Sequence, residues 1–553
     1  MSSEKMKKNN NLINRTKRLS QAVIAGLILM TIFKILIINI GGDSSITYFS
    51  VAYELYFFST VSLCAALSYA VERMTATRIS KGNYKSVLTL RRISTIVSIL
   101  IGLIIGSIIY LSSEQISEFF LQSTMSAFSV RISAFCIFIA FLSAPLYGYF
   151  QGLGTMMPSV FYYLMQRGLA VIAGIPLLIF SYRYGIKVSK LMHQEEYAAA
   201  YGSMGAFLAL LTGLVIGYLF LLIVFASHNR QFKHQMSKES METKESWRRL
   251  CIGLLQNVFP SGLQGLLVTS FLLIDLVLFT KNMSADLPQS SILSQWGNMY
   301  GRVFSLILLA AVVVSSQRKV LEMELHHQVG RVDNRVIKEK LHKHFQIVVM
   351  MSLPWVIFLG LSAEAVLGTI FNGNLETAII LLRIGSISVL FLAIAMLQYS
   401  VMTGMKKNNI LALFFLISTV VHYIIMILLF RFTDLGIEAV AISEVCMLFV
   451  FIILNQITIR KYFKIKKEPG HYILVSFTSC VATGILLLLV NQLLKPVIGD
   501  LITFLISFMI AWVCYFVLLI VYKALDQEIL TMLPFGKQIN KVAISLHLMR
   551  EES

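Results

Sequence analysis

Ionisable side chains inside long apolar stretches are the residues of this 553-residue sequence that are best placed to do chemistry. Lys34, Glu54, Asp275 and Arg302 each lie in such a stretch. A helical rise of about 1.5 Å per residue places each of them roughly 9 to 13 Å from the outer end of its helix. A charged side chain is costly in hydrocarbon, so by default it faces a protein interior or a wet cavity. We therefore predict that the four side chains share one depth.

Two interpretations of these four residues stay open. In the first, each helical hairpin neutralises its own charges, because Lys34 pairs with Glu54 and, likewise, Arg302 pairs with Asp275. In the second, the residues line a solvated cavity in which Arg302 binds a phosphate bidentately and Lys34 acts as a point charge. The carboxylates of Glu54 and Asp275 would then compete with the ligand or couple to Na+ or H+.

Arg131 and Arg167 are two further arginines inside predicted helices of the first half. We expect both to be buried, and no acidic residue nearby in the sequence stands at a matching depth. They either snorkel or bind backbone carbonyls, or they line the same cavity as the four residues above. Both are therefore candidate substrate-binding residues. Met, Phe and Tyr at helical spacing are interpreted as packing and lipid-facing residues.

Several other kinds of site are not indicated. There is no Gly-x-x-x-x-Gly-Lys loop, so ATP is not an expected ligand. The six cysteines fall in or beside apolar runs without a Cys-x-x-Cys pair, and the histidines lack ligand spacing, so no metal site is expected. No basic patch with interleaved aromatic residues predicts nucleic-acid binding. We expect a protein that has no cofactor and is not an enzyme.

The elements that position these residues are predicted to be membrane-spanning helices. The chain is 57% hydrophobic and only 14% charged, which is typical of an integral membrane protein. A hydropathy window of about 19 residues predicts about fourteen spans. They cover residues 20–40, 47–71, 88–112, 125–148, 157–181, 201–227, 252–281, 293–315, 346–370, 377–403, 409–431, 438–459, 472–492 and 500–522.

The net charge of +19 is explained by topology. Most of the 47 basic residues fall in segments that share one side if the N-terminus is cytoplasmic. Because cytoplasmic loops carry an excess of Lys and Arg, both termini are predicted to be cytoplasmic.

An internal repeat organises the spans. The turn after the fourth predicted span contains Gln151, Gly152 and Gly154, and the turn after the tenth contains Gly404 in the place of Gly152. These four residues are interpreted as structural turn motifs. The two halves enter the membrane in the same orientation, which predicts parallel repeats with a substrate site between them.

The repeat predicts five segments. They are an N-lobe at 1–228, a cytoplasmic linker at 229–250, a C-lobe at 251–468, two additional spans at 469–524 and a cytoplasmic tail at 525–553.

The turn at 148–154, followed by Met156, Met157 and Pro158, resembles a known transporter superfamily. It is similar to the multidrug, oligosaccharidyl-lipid and polysaccharide (MOP) flippases, and most to the polysaccharide transporter branch that includes stage V sporulation protein B and MurJ-like proteins. Segments 81–84, 198–206 and 404–406 agree in order and spacing. The resemblance covers nearly the whole chain and identifies a divergent member.

The resemblance implies two six-helix lobes around a central cavity, plus two C-terminal helices, in a multi-pass protein of the bacterial inner membrane. Lys34 and Arg302 stand where the family has basic residues thought to engage a lipid pyrophosphate. The implied activity is outward flipping of a polyprenyl-phosphate-linked saccharide or cell-envelope polysaccharide precursor by alternating access. The implied partners are membrane lipids and a polysaccharide synthase or polymerase, and the flippase itself is expected to be a monomer.

Two alternatives to this function stay open. One is an exporter of amphipathic drugs or peptides. The other is a membrane glycosyltransferase or ligase, which needs a carboxylate for acid or base catalysis at an outer loop. Asp43, Glu114 and Glu118 are available there but are isolated in short loops.

Overall fold

A computed structural model describes residues 2–236, 245–328, 334–464, 471–498, 500–522, 524–525 and 529–530. Regular structure in this part of the chain consists of helices, which confirms the predicted all-α class. The middle of the predicted linker and nearly all of the predicted tail lie outside the described residues. The chain forms two compact units, Met1–Gly301 and Arg302–Ser553, and each is described by itself. The lobe boundaries predicted from the repeat stay predictions.

The first unit contains ten α-helices among its described residues. These are α1 (Ser2–Ser59), α2 (Ala65–Ile79), α3 (Tyr84–Leu111), α4 (Ser113–Leu121), α5 (Ala127–Gly152), α6 (Met157–Met192), α7 (Glu196–Met236), α8 (Trp247–Thr269), α9 (Phe271–Met283) and α10 (Gln289–Gly297). A π-helical segment, Thr60–Cys64, joins α1 to α2, and a second, Asn298–Val303, follows α10.

The second unit also contains ten α-helices among its described residues. These are α11 (Phe304–Val314), α12 (Arg318–Gln328), α13 (Asn334–Leu361), α14 (Ala363–Ile370), α15 (Glu376–Gly385), α16 (Ser388–Gly404), α17 (Asn408–Phe432), α18 (Ile437–Phe463), α19 (His471–Ile498) and α20 (Asp500–Val521).

Eleven helices in the described residues are long and apolar enough to cross a membrane, or up to twelve if the α15–α16 pair, bent by 48°, is one span. The predicted number of about fourteen is therefore not confirmed. Part of the difference arises because the predicted spans 20–40 and 47–71 are counted together as Ser20–Ile79, although the chain reverses direction between them at Gly42. In addition, the predicted span 252–281 is divided at Ser270 between α8 and α9.

The helix α1 reverses direction at Gly42. This glycine has φ 79°, in the left-handed region that a residue without a Cβ adopts at little cost. The rings of Phe33 and Phe49 have centroids 6.0 Å apart, although a straight helix would separate the two residues by about 24 Å. The two arms of α1 therefore lie side by side as an antiparallel hairpin, which brings residues of equal depth together.

The turns of the predicted internal repeat have the same hydrogen bonds. After α5, the N–H groups of Leu153, Gly154 and Thr155 donate to the carbonyls of residues 149, 151 and 150. After α16, the N–H groups of residues 405, 406 and 407 donate to residues 401, 403 and 402 in the same order. Gly154 has φ 78° and Lys406, in the equivalent place, has φ 60°. The backbone geometry of this turn is thus repeated although the residue differs.

Gly152 and Gly404 allow the same close helix contact in the two units. A Cβ on Gly152 would lie 2.7 Å from the Glu72 carbonyl oxygen, on α2. A Cβ on Gly404 would lie 3.0 Å from the Glu322 carbonyl oxygen, on α12. Both glycines are needed because each lets the end of its helix approach another backbone. Gly152 and Gly404 thus have the same kind of contact in the two units.

The helix α10 packs closely on the hairpin of α1. Trp296 Nε1 donates to Ser50 Oγ at 3.1 Å, and Thr47 Oγ1 donates to the Leu293 carbonyl at 2.6 Å. A Cβ on Gly297 would lie 2.6 Å from the Asp43 carbonyl oxygen. Gly297 and Gly301 form the Gly-x-x-x-Gly spacing that is typical of close contacts between membrane helices. This contact fixes the position of Tyr300 next to α1.

The helices α19 and α20 pack against α13 in the second unit. Phe358 and Phe508 have ring centroids 4.4 Å apart, and the Tyr515 hydroxyl donates to the Met350 carbonyl at 2.7 Å. The two predicted additional spans are thus joined to the second unit through α13, and α20 also contacts α14.

Candidate functional site

Lys34 lies in an aromatic enclosure inside the first unit. Its side chain is 7% exposed. Its Nζ atom is 3.7 Å from the centroid of the Tyr300 ring and 5.9 Å from that of Tyr53. A cation over the face of an aromatic ring is attracted by the negative charge density of that face, most strongly where water is excluded. The ammonium is therefore stabilised by neutral groups as well as by charge.

Glu54 is the acidic neighbour of Lys34. It is 4% exposed and interacts electrostatically with Lys34 and with Tyr300. No ion-pair contact of 4.0 Å or less joins the Lys34 ammonium to the Glu54 carboxylate among the described residues. The buried Glu54 Oε2 also has no hydrogen-bond partner there. Lys34 and Glu54 are thus near each other, in agreement with their predicted depth, but their charged groups are not in ion-pair contact.

Arg167 lies on α6, in the same unit as Lys34 and Glu54. Its side chain lies against Gly26 of α1, where a Cβ would be 2.5 Å from Arg167 Nη1. The residue is half-buried within a membrane-spanning helix. Within the described part of the chain, its guanidinium has neither an ion pair nor a hydrogen bond. Its five N–H donors are therefore available to an anion or to water.

A group of five tyrosines, which we call the tyrosine cluster, includes the neighbours of Arg167. Its members interact electrostatically with Arg167 or contact one another through their rings, and they are Tyr53, Tyr56, Tyr147, Tyr162 and Tyr163. Tyr147 and Tyr162 stack with centroids 5.8 Å apart, and Tyr53 lies 5.9 Å from Tyr56. Tyr56 and Tyr162 are buried, so of the two interpretations given for such residues, packing and lipid-facing, these two are packing residues.

The sequence interpretation missed the tyrosine cluster as a functional feature. A usable signal was present, because Tyr53 and Tyr56 stand three residues apart on the helix that carries Glu54. Residues at this spacing share one helix face. Tyr162 and Tyr163 likewise stand about one helical turn before Arg167.

The expectation for Arg131 was wrong in two respects. Its side chain is 40% exposed, not buried, and Nη2 forms an ion pair with Glu114 at 2.5 Å. Arg131 Nε also donates to Ser113 Oγ at 3.0 Å. Both partners lie in the first turn of α4, which packs against α5 and therefore brings an acid to Arg131 that sequence distance did not indicate.

Arg302 is fully buried in the second unit, at 1% exposure. Its Nη2 donates to the Asn372 carbonyl at 2.9 Å, and its guanidinium carbon lies 5.6 Å from the Phe371 ring centroid. Arg302 thus holds the loop between α14 and α15. Asp275 is buried in α9 of the other unit. The predicted Arg302–Asp275 pair and the phosphate-binding role of Arg302 stay predictions.

No group of three or more His, Cys, Asp or Glu side chains is arranged for a metal ion in the described residues. The expectation of no cofactor stays a prediction, as does coupling to Na+ or H+ through Glu54 or Asp275.

The fold is that of the MOP superfamily of transporters, as the resemblance predicted. Residues 19–176 match the MatE family model. This match includes Lys34, Glu54, Arg167 and all five residues of the tyrosine cluster. No curated protein matches the chain in sequence.

Three solved structures show the likeness in detail. The lipid II flippase MurJ, in an inward closed conformation, is 15% identical, with 90% of this chain and 97% of that chain covered and a TM-score of 0.62. An inward-facing multidrug resistance MATE transporter is 16% identical, with 80% and 98% covered and a TM-score of 0.59. A MOP superfamily transporter from Pyrococcus furiosus is 16% identical, with 82% and 97% covered and a TM-score of 0.56.

Proposed function

We propose that this chain is a bacterial inner-membrane flippase that moves a polyprenyl-phosphate- or pyrophosphate-linked saccharide outward by alternating access. The observation that carries the proposal is Arg167, a guanidinium without an ion pair or hydrogen bond in the described residues, next to the tyrosine cluster. The head group of such a lipid has a phosphate for the arginine and sugar rings for the tyrosines.

The chemistry of Arg167 favours a phosphate ligand. A guanidinium presents paired N–H donors that match two phosphate oxygens, and hydrogen bonds between charged groups are roughly twice as strong as neutral ones. An arginine in a membrane helix without a protein acceptor has to be solvated or bound to an anion. In our proposal the Arg167 guanidinium is therefore hydrated before the ligand binds, and the phosphate of the ligand neutralises its charge afterwards.

The tyrosine cluster suits a saccharide. Each tyrosine combines a flat apolar face, which packs against the C–H groups of a sugar ring, with a hydroxyl that donates or accepts a hydrogen bond. The cluster extends from Tyr53, one residue before Glu54, to Tyr163, four residues before Arg167. A phosphate on Arg167 and a sugar ring on the tyrosines would thus lie side by side.

Lys34 supplies a second cation for a pyrophosphate. In the structure its ammonium is held by the Tyr300 ring and by the field of Glu54. In our proposal the Lys34 ammonium leaves the Tyr300 ring and binds a phosphate oxygen during the transport cycle. The negative charge of Glu54 limits how strongly that phosphate binds. Glu54 and Asp275 remain the candidates for coupling to a cation.

The extent of the structural likeness is the one comparison that favours a flippase over a drug exporter. The lipid II flippase MurJ aligns with 90% of this chain, and the MATE transporter aligns with 80% of it. The flippase structure thus aligns with a larger share of this chain than the MATE structure does. A synthase or polymerase that supplies the cargo is part of the same proposal, with the transporter acting as a monomer.

Export of amphipathic drugs is the second candidate function. The match to the MatE model and the likeness to a multidrug resistance transporter favour it, and Glu54 beside aromatic rings would suit a cationic drug. A membrane glycosyltransferase or ligase has less support. Of the outer-loop acids considered for catalysis, Glu114 is engaged by Arg131.

Flipping in vesicles tests the proposal directly. Purified protein is reconstituted into liposomes with a fluorescent polyprenyl-pyrophosphate disaccharide, and a membrane-impermeant quencher reports the lipid that reaches the outer leaflet. We expect flipping by the wild type that is lost in Arg167→Gln and retained in Arg131→Gln. Absence of flipping together with uptake of a cationic dye would support the drug exporter. Equal flipping by both variants would remove Arg167 from the site.

A further inference from the structure

A cavity of about 440 Å³ lies at one end of the first unit, and its lining contains no residue of the tyrosine cluster. It is formed where the start of the first span, the turn between α5 and α6, and the last residues of the span in α7 come together. Its wall contains Arg18, Phe150, Met156, Val224 and His228. By the predicted orientation, this end faces the cytoplasm. None of these residues takes part in the function proposed above.

The wall of the cavity is held in shape by the repeat turn. The Thr155 N–H and Oγ1 both donate to the Phe150 carbonyl, each at 3.0 Å, and the Gly154 N–H donates to the Gln151 carbonyl at 2.9 Å. Pro158, in the first turn of α6, fixes the backbone that follows. The cavity is therefore preformed, so a ligand does not have to order it.

The polar part of the cavity favours an anion. Arg18 is exposed, and its guanidinium has no ion pair or hydrogen bond among the described residues. His228 faces the same space from α7. The cavity lining contains no acidic side chain. A phosphate would find a charged donor in Arg18 and no carboxylate to repel it.

The apolar part favours a lipid as the source of that anion. Phe150, Met156, Met157, Val160 and Val224 make up much of the lining. Met157 is 41% exposed at the surface of a membrane-spanning helix. The cavity therefore combines a cationic side chain with an apolar wall at the level where phospholipid head groups meet acyl chains.

We propose that this cavity binds the phosphodiester head group of an acidic phospholipid from the cytoplasmic leaflet, with Arg18 as its main charged contact. The apolar wall takes the glycerol and the first acyl carbons. Because the lipid would contact α1, α5, α6 and α7 together, it would stabilise the first unit. The inference does not depend on the identity of the transported cargo.

Binding is tested with the full-length protein in detergent. Phosphatidylglycerol or phosphatidylcholine is added, and thermal unfolding and native mass spectrometry report stabilisation and bound lipid. We expect phosphatidylglycerol, and not phosphatidylcholine, to stabilise the wild type. The apparent affinity should fall about tenfold in Arg18→Gln, as expected for loss of one charged hydrogen bond. Arg73→Gln removes an exposed arginine at the same end that is not part of the cavity wall, and should behave like the wild type.

A second test fills the cavity with a larger side chain and keeps the positive charge of Arg18. Val224→Trp should reduce phosphatidylglycerol binding while Arg18 is retained. Soluble glycerol 1-phosphate distinguishes a lipid from a free anion, and we expect it to stabilise the protein much less. An unchanged lipid response in both Arg18→Gln and Val224→Trp would overturn the proposal, as would an equal response to glycerol 1-phosphate.

Discussion

The Nζ atom of Lys34 lies 3.7 Å from the centroid of the Tyr300 ring, so an ammonium on the first span is covered by an aromatic face that follows α10. Glu54 interacts with both residues from the other arm of the α1 hairpin. The Gly-x-x-x-Gly contact at Gly297 and Gly301 holds the ring in this position. Any ligand that binds the Lys34 ammonium has to compete with the Tyr300 ring.

The first prediction concerns Tyr300. Tyr300→Phe keeps the aromatic face over Lys34 and should retain most of the thermal stability and transport. Tyr300→Leu removes the face and should weaken the protein by about 2 kcal/mol, the value of a desolvated cation–π contact. Thermal unfolding in detergent measures both. If the two variants lose equal stability, the ring face does not stabilise Lys34.

The second prediction concerns the coupling of Lys34 to Glu54. Lys34→Met and Glu54→Gln should each destabilise the protein strongly, because each leaves one buried charge without its opposite. The double variant should be less destabilised than the sum of the two, with a coupling of about 1 to 3 kcal/mol. A double-mutant cycle of unfolding free energies measures this. Simple additivity would show that the two charges act independently.

The third prediction separates Arg167 from Arg131. Arg167→Gln should abolish flipping and leave thermal stability nearly unchanged, since Arg167 makes no ion pair or hydrogen bond in the described residues. Arg131→Gln should leave flipping intact and reduce stability by at most about 1 kcal/mol, because its ion pair with Glu114 is partly exposed. A stability loss without a transport loss in Arg167→Gln would mean that it is a packing residue.

The fourth prediction uses the repeat turn. Lys406 has φ 60°, a conformation that costs a residue with a Cβ roughly 1 kcal/mol relative to glycine. Lys406→Gly should therefore stabilise the protein by about that amount. Lys407→Gly, at a neighbouring residue with φ −101°, should give no gain. The difference between the two melting temperatures is the measurement, and a gain in Lys407→Gly alone would contradict the explanation.

The fifth prediction concerns the close contact of α5 with α2. Gly152→Ala should destabilise the first unit, because the added Cβ would lie 2.6 Å from Thr75 Cβ and 2.7 Å from the Glu72 carbonyl oxygen. Overpacking of this kind typically costs 1 to 3 kcal/mol. Gly82→Ala is the control: its Cβ would have nothing within 4 Å, so only the strain of φ 74° applies. Chemical or thermal unfolding compares the two.

The depth of each charged residue along its predicted helix was enough to predict that Lys34 and Glu54 are near each other. Lys34 and Glu54 are close because the α1 hairpin reverses at Gly42, and an antiparallel hairpin brings residues of equal depth together. The repeat turns were also predictable, since Gly152 and Gly404 mark places where only a small residue fits.

The partners of the arginines could not be predicted in the same way. Arg131 meets Glu114 because α4, a short helix outside the predicted spans, packs against α5. Arg302 binds a backbone carbonyl at Asn372, and a carbonyl leaves no signature in the side-chain sequence. Hydropathy separated the two spans on either side of Gly42, where the chain reverses direction, but it gave no sign of the break at Ser270.

The fixed charge of Arg167 has a consequence for energetics. The guanidinium charge belongs to the protein and stays with it, whereas a phosphate-linked cargo that leaves Arg167 carries its negative charge across the bilayer. Each cycle of the proposed transport would then move net negative charge outward. A membrane potential that is negative inside favours this movement by about 2.3 kcal/mol per charge for each 100 mV. The voltage would thus drive the cargo, and valinomycin-clamped vesicles should flip it faster when the interior is negative.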